Sequence, residues 1–410
     1  MTRHSVVLAL FLVGCVEVPG VEPGVEEATP REVTERGAEL DAVLDGADAF
    51  SVDLYAELSS EEEGNLFFSP YSVVSALGMT LAGANGETQD ELAAVLGVSG
   101  DEGSYHHALG ALTQDLNGDL GRPYTLAIAN RVYLSDGLAV ENDYLAVTGE
   151  DYGAEAQLMG FSEDPEGSRQ TINAWVSDNT AGMVPELLPN GSIHSLTQFV
   201  LTNAIYFLGD WESAFDPADT AVGPFVTATG PVNAELMSQT AQFGMYQDSE
   251  VQVLRLPYKG KEVSMWVVLP VDGDGLAAVE TSLEPTLLEV WANGMSTGEV
   301  EVTLPKFDIA TERSLVPSLR NLGVNAAFDN ADFTGITPSG HQIWISDVLH
   351  SAVVSVDEVG TEAAAATAVV GETDSLPPEF RADHPFVFLI RDDLTGAILF
   401  MGRVADPTAG

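Results

Sequence analysis

The residues in this chain that could do chemistry are few, and most of them argue against catalysis. Gly294-Met295-Ser296-Thr297-Gly298 fits G-x-S-x-G, a spacing that presents a nucleophilic serine on a turn from strand to helix. Here the order is inverted: PTLLEVWANG before the motif reads as helix and EVEVTLP after it as strand. The motif therefore points away from a hydrolase. Cys15 is the single cysteine, so an internal disulfide and a cysteine-built metal site are both excluded. The seven histidines (His4, His106, His107, His194, His341, His350, His384) show no ligand spacing. Neither G-x-x-x-x-G-K-S/T nor a G-x-G-x-x-G opening a helix occurs. No metal, no cofactor and no turnover chemistry is expected.

A different chemistry is written into GTEAAAATAVVGETDS, residues 360–375. Its first half is alanine-rich and favours helix; its second half is Thr/Val/Gly and favours strand or loop. Read as a strand, alternate residues fall on opposite faces. The odd positions, Thr361, Ala363, Ala365, Thr367, Val369, Gly371 and Thr373, are small or medium and uncharged. The three charges, Glu362, Glu372 and Asp374, all fall on the even set with Ala364, Ala366, Ala368 and Val370. One face can be buried and the other can meet water, with no proline before residue 377 to break a ladder. Such a segment is tolerable both as an exposed loop and as a strand inside a sheet.

The elements around it have to be supplied by a long, acidic chain. Its 410 residues are 45% hydrophobic, ample for a sizeable core. It carries 63 acids against 15 bases, a net charge of −48. Phosphate backbones need clustered Lys and Arg, so no nucleic-acid partner is expected, nor heparin-like polyanions, nor a bare anionic membrane. Two readings of the charge stay open: a solvated surface, or a salty habitat in which screening relieves self-repulsion.

MTRHSVVLALFLVGC has a basic start and an apolar run too short to span a bilayer, as an export signal does. Leu12-Val13-Gly14-Cys15 resembles a bacterial lipobox, which implies signal cleavage and lipidation at Cys15. Residues 1–14 are then the lipoprotein signal and residues 15–46 an acidic Pro/Gly-rich tether of about 30 residues, reaching roughly 30 Å. A globular domain is expected over 47–410. Membrane contact is expected only through the Cys15 lipid, at the bacterial cell envelope or outer surface, or with the protein secreted. In such a host the sequon Asn190-Gly191-Ser192 is moot.

Within the domain, 47–58 has helical spacing. The stretch 69–84 is a buried helix capped by Ser69 with Pro70 at its first position, and 86–97 a helix stopped by Gly97. TLAIANRVYL (125–134) and FVLTNAIYFLGDW (199–211) read as strands, the second apolar on both faces like a central strand. SRQTINAWVSDNT is a helix between them. VQVLRLPY, VSMWVVLP and EVEVTLPKFDI are strands, and the last run forms a hairpin about Asp-Leu-Thr-Gly. The fold class is α+β.

Four stretches, in order, resemble the serpin family. They are Asn65-Leu-Phe-Phe-Ser-Pro-Tyr-Ser72, VLTNAIYFLGDW (200–211), VLRLPYKGKEVSMWVVLP, and the run from His350 to Pro407. The resemblance implies a large central β-sheet with further sheets, about nine helices and an exposed reactive-centre loop. It also implies a metastable, monomeric suicide inhibitor whose partner is a target protease held in a covalent complex. After cleavage the loop inserts into the central sheet and drags the protease with it. The segment 360–375 sits where that loop should be.

By the same resemblance Ser69, Ser72, Asn203 and His350 form a polar cluster under the centre of the sheet, with His350 structural rather than a base. Trp211, Lys306 and Glu358 match an aromatic and an ion pair at the top of the sheet. Glu358, Gly360, Thr361, Ala363, Ala364, Ala365 and Ala366 form the loop hinge. Leu208, Met183 and Asp383 depart from the family pattern, where Lys, Lys or a similar residue, and Asn are usual. Counting seventeen residues from Glu358 puts the scissile bond at Asp374–Ser375. An aspartate there calls for a cationic protease pocket, best a bidentate arginine, so caspase-like or glutamyl proteases are expected. Cleavage after Val370 would suit elastase-like enzymes and cleavage after Glu372 glutamyl ones. The other functional class is a non-inhibitory serpin acting as a surface binding protein.

Overall fold

In the computed structural model, which describes residues 37–118, 121–154, 156–338, 342–361 and 376–409, a helical half packs against two sheets. Ten α-helices occur among the described residues: α1 (Ala38–Glu61), α2 (Pro70–Leu81), α3 (Gly86–Val95), α4 (Glu102–Asn117), α5 (Asn142–Ala146), α6 (Pro165–Asn179), α7 (Leu276–Ser282), α8 (Pro285–Gly294), α9 (Val316–Asn321) and α10 (Ala326–Asp329). A π-helical turn, Val147–Asp151, continues α5.

The helix α1 begins at Ala38, so residues 38–46, assigned above to the tether, are helical. The reason is legible: Val43, Leu44, Ala47 and Phe50 recur at helical spacing and are buried. Gly46 lets α1 approach the end of α3, since a Cβ there would lie 2.4 Å from the Leu96 carbonyl oxygen. In α2, Ser69 caps the N-terminus by accepting from the Ser72 N–H, Pro70 occupies the first position, and all of its residues are buried. That makes α2 the spine on which both sheets rest.

One sheet has the order β1 (Leu66–Phe68), β15 (Ile398–Val404), β14 (Phe386–Asp392), β8 (Val263–Pro270), β7 (Val251–Pro257), β6 (Gly230–Gln247), β9 (Ser296–Pro305), β13 (Glu379–Arg381). In addition, β5 (Ala221–Thr227) pairs with β6. Strands β8, β14 and β15 are buried along their whole length, and Gly396, at φ +89°, takes the left-handed position in the β14–β15 turn. The second sheet runs β10 (Phe307–Ser314), β11 (Val348–Val356), β4 (Phe199–Asp210), β2 (Tyr124–Ser135), β3 (Gln157–Met159), with β12 (Gly360–Thr361) also on β4. The long strand β4 is buried on both faces over Phe199–Phe207, as its unbroken apolar run requires.

The G-x-S-x-G motif has the inverted context expected of it: α8 ends at Gly294 and Ser296 opens β9. No helix among the described residues is long and apolar enough to cross a membrane.

Candidate functional site

The site is a seam between β4 and β11. These strands run parallel, and their ladder covers four positions, from Val348↔Leu201 to Ser351↔Ala204. Higher up, the neighbour of β4 on that side is β12, antiparallel, with Thr361 opposite Gly209 and Gly360 opposite Asp210. Between them, residues 205–208 of β4 have no strand partner on that side among the described residues.

At the foot of the open stretch lies the polar cluster. His350 stands in register with Asn203, and Asn203 with Asn130, so one lateral row crosses three strands. The His350 Nε2 accepts from the Ser69 N–H at 3.0 Å. With that nitrogen accepting, Nδ1–H donates to Asn203 Oδ1 at 2.5 Å, a tautomer assigned from the network. Asn203 Nδ2 donates to Ser72 Oγ (2.7 Å) and Asn130 Oδ1 (3.2 Å). Ser72 Oγ donates to Asn130 Oδ1, Asn130 Nδ2 to the Ser72 carbonyl, and Ser69 Oγ to the Leu399 carbonyl. His350 is wholly buried, and burial, reinforced by the Arg313 charge, pushes its pKa down to about 3. It is neutral, and each ring nitrogen is used structurally. Ser69, Ser72, Asn203 and His350 are thus brought together around Asn130, which the sequence pattern alone did not single out. Its signal was a lone amide inside the apolar run TLAIANRVYL.

At the top of the seam, Asp357 turns the chain: its Oδ1 accepts from the N–H groups of Val359 and Gly360. Trp211 Nε1 donates to the Asp357 carbonyl, and the Trp211 ring stacks on Tyr258 at 4.5 Å. Glu358 is 7% exposed. Its carboxylate takes Lys306 Nζ at 3.1 Å and Thr220 Oγ1 at 2.8 Å. Burial would raise the Glu358 pKa, but hydrogen bonds from Thr220 and Lys306 outweigh it and hold the group below its ordinary range. For Lys306, burial lowers the pKa and the bond to Glu358 overcomes this and raises it. Trp211, Lys306 and Glu358 therefore meet, joined by Thr220 and Tyr258, which sequence reading did not single out.

Gly360 is demanded by close approach: a Cβ there would lie 2.2 Å from the Gly209 carbonyl oxygen. Thr361 is 5% exposed, and its Oγ1 is 3.1 Å from the Tyr258 hydroxyl. Thr361 is the first of the odd positions, and it points inward. On the far side, the described residues continue from Leu376, and β13 joins β9 in parallel, with the Glu301 N–H donating to the Pro378 carbonyl. Ala363, Ala364, Ala365, Ala366, Val370, Glu372, Asp374 and Ser375 lie outside the described residues, as does Cys15.

Of the three departures, Leu208 and Met183 are half-buried. Asp383 pairs with Arg381 and His384 while its carbonyl accepts from the Val226 N–H. The face of the sheet away from α2 is covered by α6 and the segment after it. Val176, Val184 and Leu187 pack on Ala129 and Ala204, with Leu349 of β11 against the same cluster. This cover spans the seam.

Fold and site together define an α+β protein whose central strand β4 lacks a neighbour on one side over residues 205–208 among the described residues. The family model for serpins, described as serine protease inhibitors, matches residues 45–407, and the chain belongs to that family. Members of the family inhibit proteases by forming covalent complexes with them. The leukocyte elastase inhibitor of Bos taurus is 40% identical over 371 residues, covering 87% of this chain and 97% of that protein. An uncharacterized serpin-like protein of Thermococcus kodakarensis is 35% identical over 387 residues, covering 93% and 89%. Among solved structures, human thyroxine-binding globulin in complex with its hormone superposes with a TM-score of 0.82 at 30% identity, over 90% of this chain and 100% of that one.

Proposed function

We propose that this chain is a suicide-type inhibitor cleaved at Asp374–Ser375 by an Asp- or Glu-preferring protease, caspase-like or glutamyl. The protease nucleophile attacks the Asp374 carbonyl, the bond to the Ser375 nitrogen breaks, and that nitrogen leaves as a protonated amine. The acyl-enzyme is then carried along as residues 362–374 follow Thr361 into the seam. The observation that carries this reading is the pair Gly360–Thr361, already laddered on β4 with Thr361 buried, above residues 205–208, which have no strand partner on that side among the described residues. Continuing that register places Glu362 opposite Leu208 and Ala365 opposite Ile205. In the same reading Cys15 carries a lipid that anchors a monomeric inhibitor at the bacterial cell envelope or outer surface.

The test is to mix the protein with a caspase and with a glutamyl endopeptidase, then run SDS gels and weigh the released C-terminal peptide. An SDS-stable band and a fragment starting at Ser375 support the proposal. A dominant fragment starting at Gly371 moves the bond to Val370 and the target to elastase-like enzymes, which the bovine relative's name favours. Clean cleavage with the protease still active supports a surface binding protein instead, the reading favoured by a structural neighbour that holds thyroxine.

A further inference from the structure

Of the 15 basic side chains, three precede residue 37. Every other one except Arg131 and Arg391 has a carboxylate oxygen within 3.9 Å. Arg391 is met by other means: Nε and Nη2 donate to the Gly396 carbonyl, the guanidinium lies over Trp266, and Asp48, Asp392 and Asp393 are close enough to act on its charge. Arg131, on β2, has no such acid among the described residues. Its Nη1 donates to Gln157, its guanidinium lies 4.3 Å from the Trp175 ring centre and close enough to the Tyr133 hydroxyl to act on it, and its buried Nε–H has no hydrogen-bond partner of ordinary geometry among the described residues.

Arg131 also lines a cavity of about 220 Å³, with Asn130, Thr113, Tyr152, Trp175 and Asn179 among the walls. The cavity lies along the edge of β2. Strand β3 covers that edge only from Tyr133 to Ser135. Nearer the start of β2, the Asn117 side chain takes both backbone groups of Ile128, donating to its carbonyl at 3.2 Å and accepting from its N–H at 2.7 Å. Peptide groups alternate across a strand, so the N–H and C=O of Asn130 point to the same edge as those of Ile128, between Asn117 and β3. A cation with a spare N–H, a backbone donor and a backbone acceptor therefore converge where the sheet is uncovered. Arg131 is half-buried, and a guanidinium with no counter-charge among the described residues can take up an anion from outside.

We propose that this cavity binds a small oxyanion that carries an O–H, the chemistry shared by inorganic phosphate and by small phosphorylated or hydroxycarboxylate metabolites. Its charged oxygens accept from Arg131 Nε–H and the Asn130 N–H; its O–H donates to the Asn130 carbonyl. Bound there, it ties β2 to α6 through Trp175 and Asn179. Because α6 and the segment after it cover the seam, parting β4 from β11 must displace them, so the anion slows loop insertion. That consequence rests on the insertion reading above; the binding does not.

The test is thermal unfolding of the full chain at pH 7 in sodium phosphate, sodium sulfate and sodium chloride at matched ionic strength. Phosphate is expected to raise the apparent Tm saturably above chloride, with sulfate, which has no O–H, several-fold weaker. Arg131→Gln is expected to weaken the phosphate response at least tenfold. Equal responses to phosphate and chloride, or a wild-type response in Arg131→Gln, overturn the site; equal phosphate and sulfate responses overturn the O–H requirement. If Arg131→Gln does not fold, ³¹P line broadening of phosphate by the wild-type protein decides, its absence sinking the proposal. Phosphate binding with no change in the rate at which a nicked loop stabilises the protein removes the consequence and leaves the site.

Discussion

Acidification should loosen this fold through His350, and the size of the effect follows from its surroundings. In the folded chain the ring is neutral, its pKa pushed down to about 3 by burial and the Arg313 charge; unfolded, the ordinary value is about 6.5. The folded pKa lies below the unfolded one, so the unfolded chain takes up the proton first as pH falls. Stability from this group is complete above about pH 6.5 and is lost progressively between there and about pH 3. Each pH unit in that window costs about 1.4 kcal/mol, so moving from pH 7 to pH 5 removes about 2 kcal/mol. A domain spanning 45–407 has an unfolding entropy of roughly 0.8 kcal/mol/K, which converts that loss into about 2.5 °C of apparent Tm. Other groups titrate nearby: Asp48, raised to about 7 mainly by burial, stabilises on acidification, and His106, lowered mainly by burial, acts with His350. The comparison must therefore be between wild type and His350→Gln, with Tm followed at one scan rate from pH 7 to pH 5. The variant should start lower, having lost fitted hydrogen bonds, but its slope should be shallower by about 2.5 °C over the range. Parallel slopes would refute the neutral, doubly bonded histidine.

Three further outcomes are expected. Thr361→Arg places a charge at a buried inward position beside Tyr258, which opposes strand uptake by several kcal/mol; cleavage should continue while SDS-stable complex disappears, and an undiminished band would contradict the inward assignment. Lys306→Met leaves the Glu358 carboxylate with Thr220 but no cation, costing about 1–3 kcal/mol in chemical denaturation at neutral pH. The stability that ionised Glu358 contributes above its unfolded pKa, lost as pH falls, should shrink with it; a neutral-pH midpoint equal to wild type argues against the ion pair. Finally, with 63 acids against 15 bases, screening should raise the apparent Tm as sodium chloride goes from 0.1 M to 1 M, where the Debye length falls from about 10 Å to about 3 Å; a flat profile would mean that self-repulsion is not a destabilising force here.

How much of this was legible in the sequence depended on how local the signal was. The cap and burial of α2 follow from Ser69-Pro70 and an all-round apolar run, and β4 from its two-sided hydrophobicity; both are local. The start of α1 at Ala38 was also written locally, in Leu40, Val43, Leu44 and Ala47, but an acidic, Pro/Gly-rich leader masked it. The four polar residues under the sheet were assigned by family resemblance. Asn130 was passed over because its partners, Ser72 and Asn203, are 58 and 73 residues away. Thr220 and Tyr258 gave no pattern at all; their roles exist only once the chain brings Glu358 and Thr361 to them. The π-helical turn at 147–151 is fixed by packing of a similar kind, since a Cβ on Gly110 of α4 would lie 2.2 Å from the Asp151 carbonyl oxygen.

The two laddered residues of β12 bear on the kinetics of the proposed capture. Starting a new strand from a free loop means closing the loop and fixing several dihedrals before any reward arrives. With Gly360 and Thr361 already seated on β4, that nucleation step belongs to folding. In the proposed mechanism a cut then triggers only elongation, residue by residue, like a zipper with its slider engaged. Capture on that reading is a race against water for the acyl bond, run with the first teeth already closed.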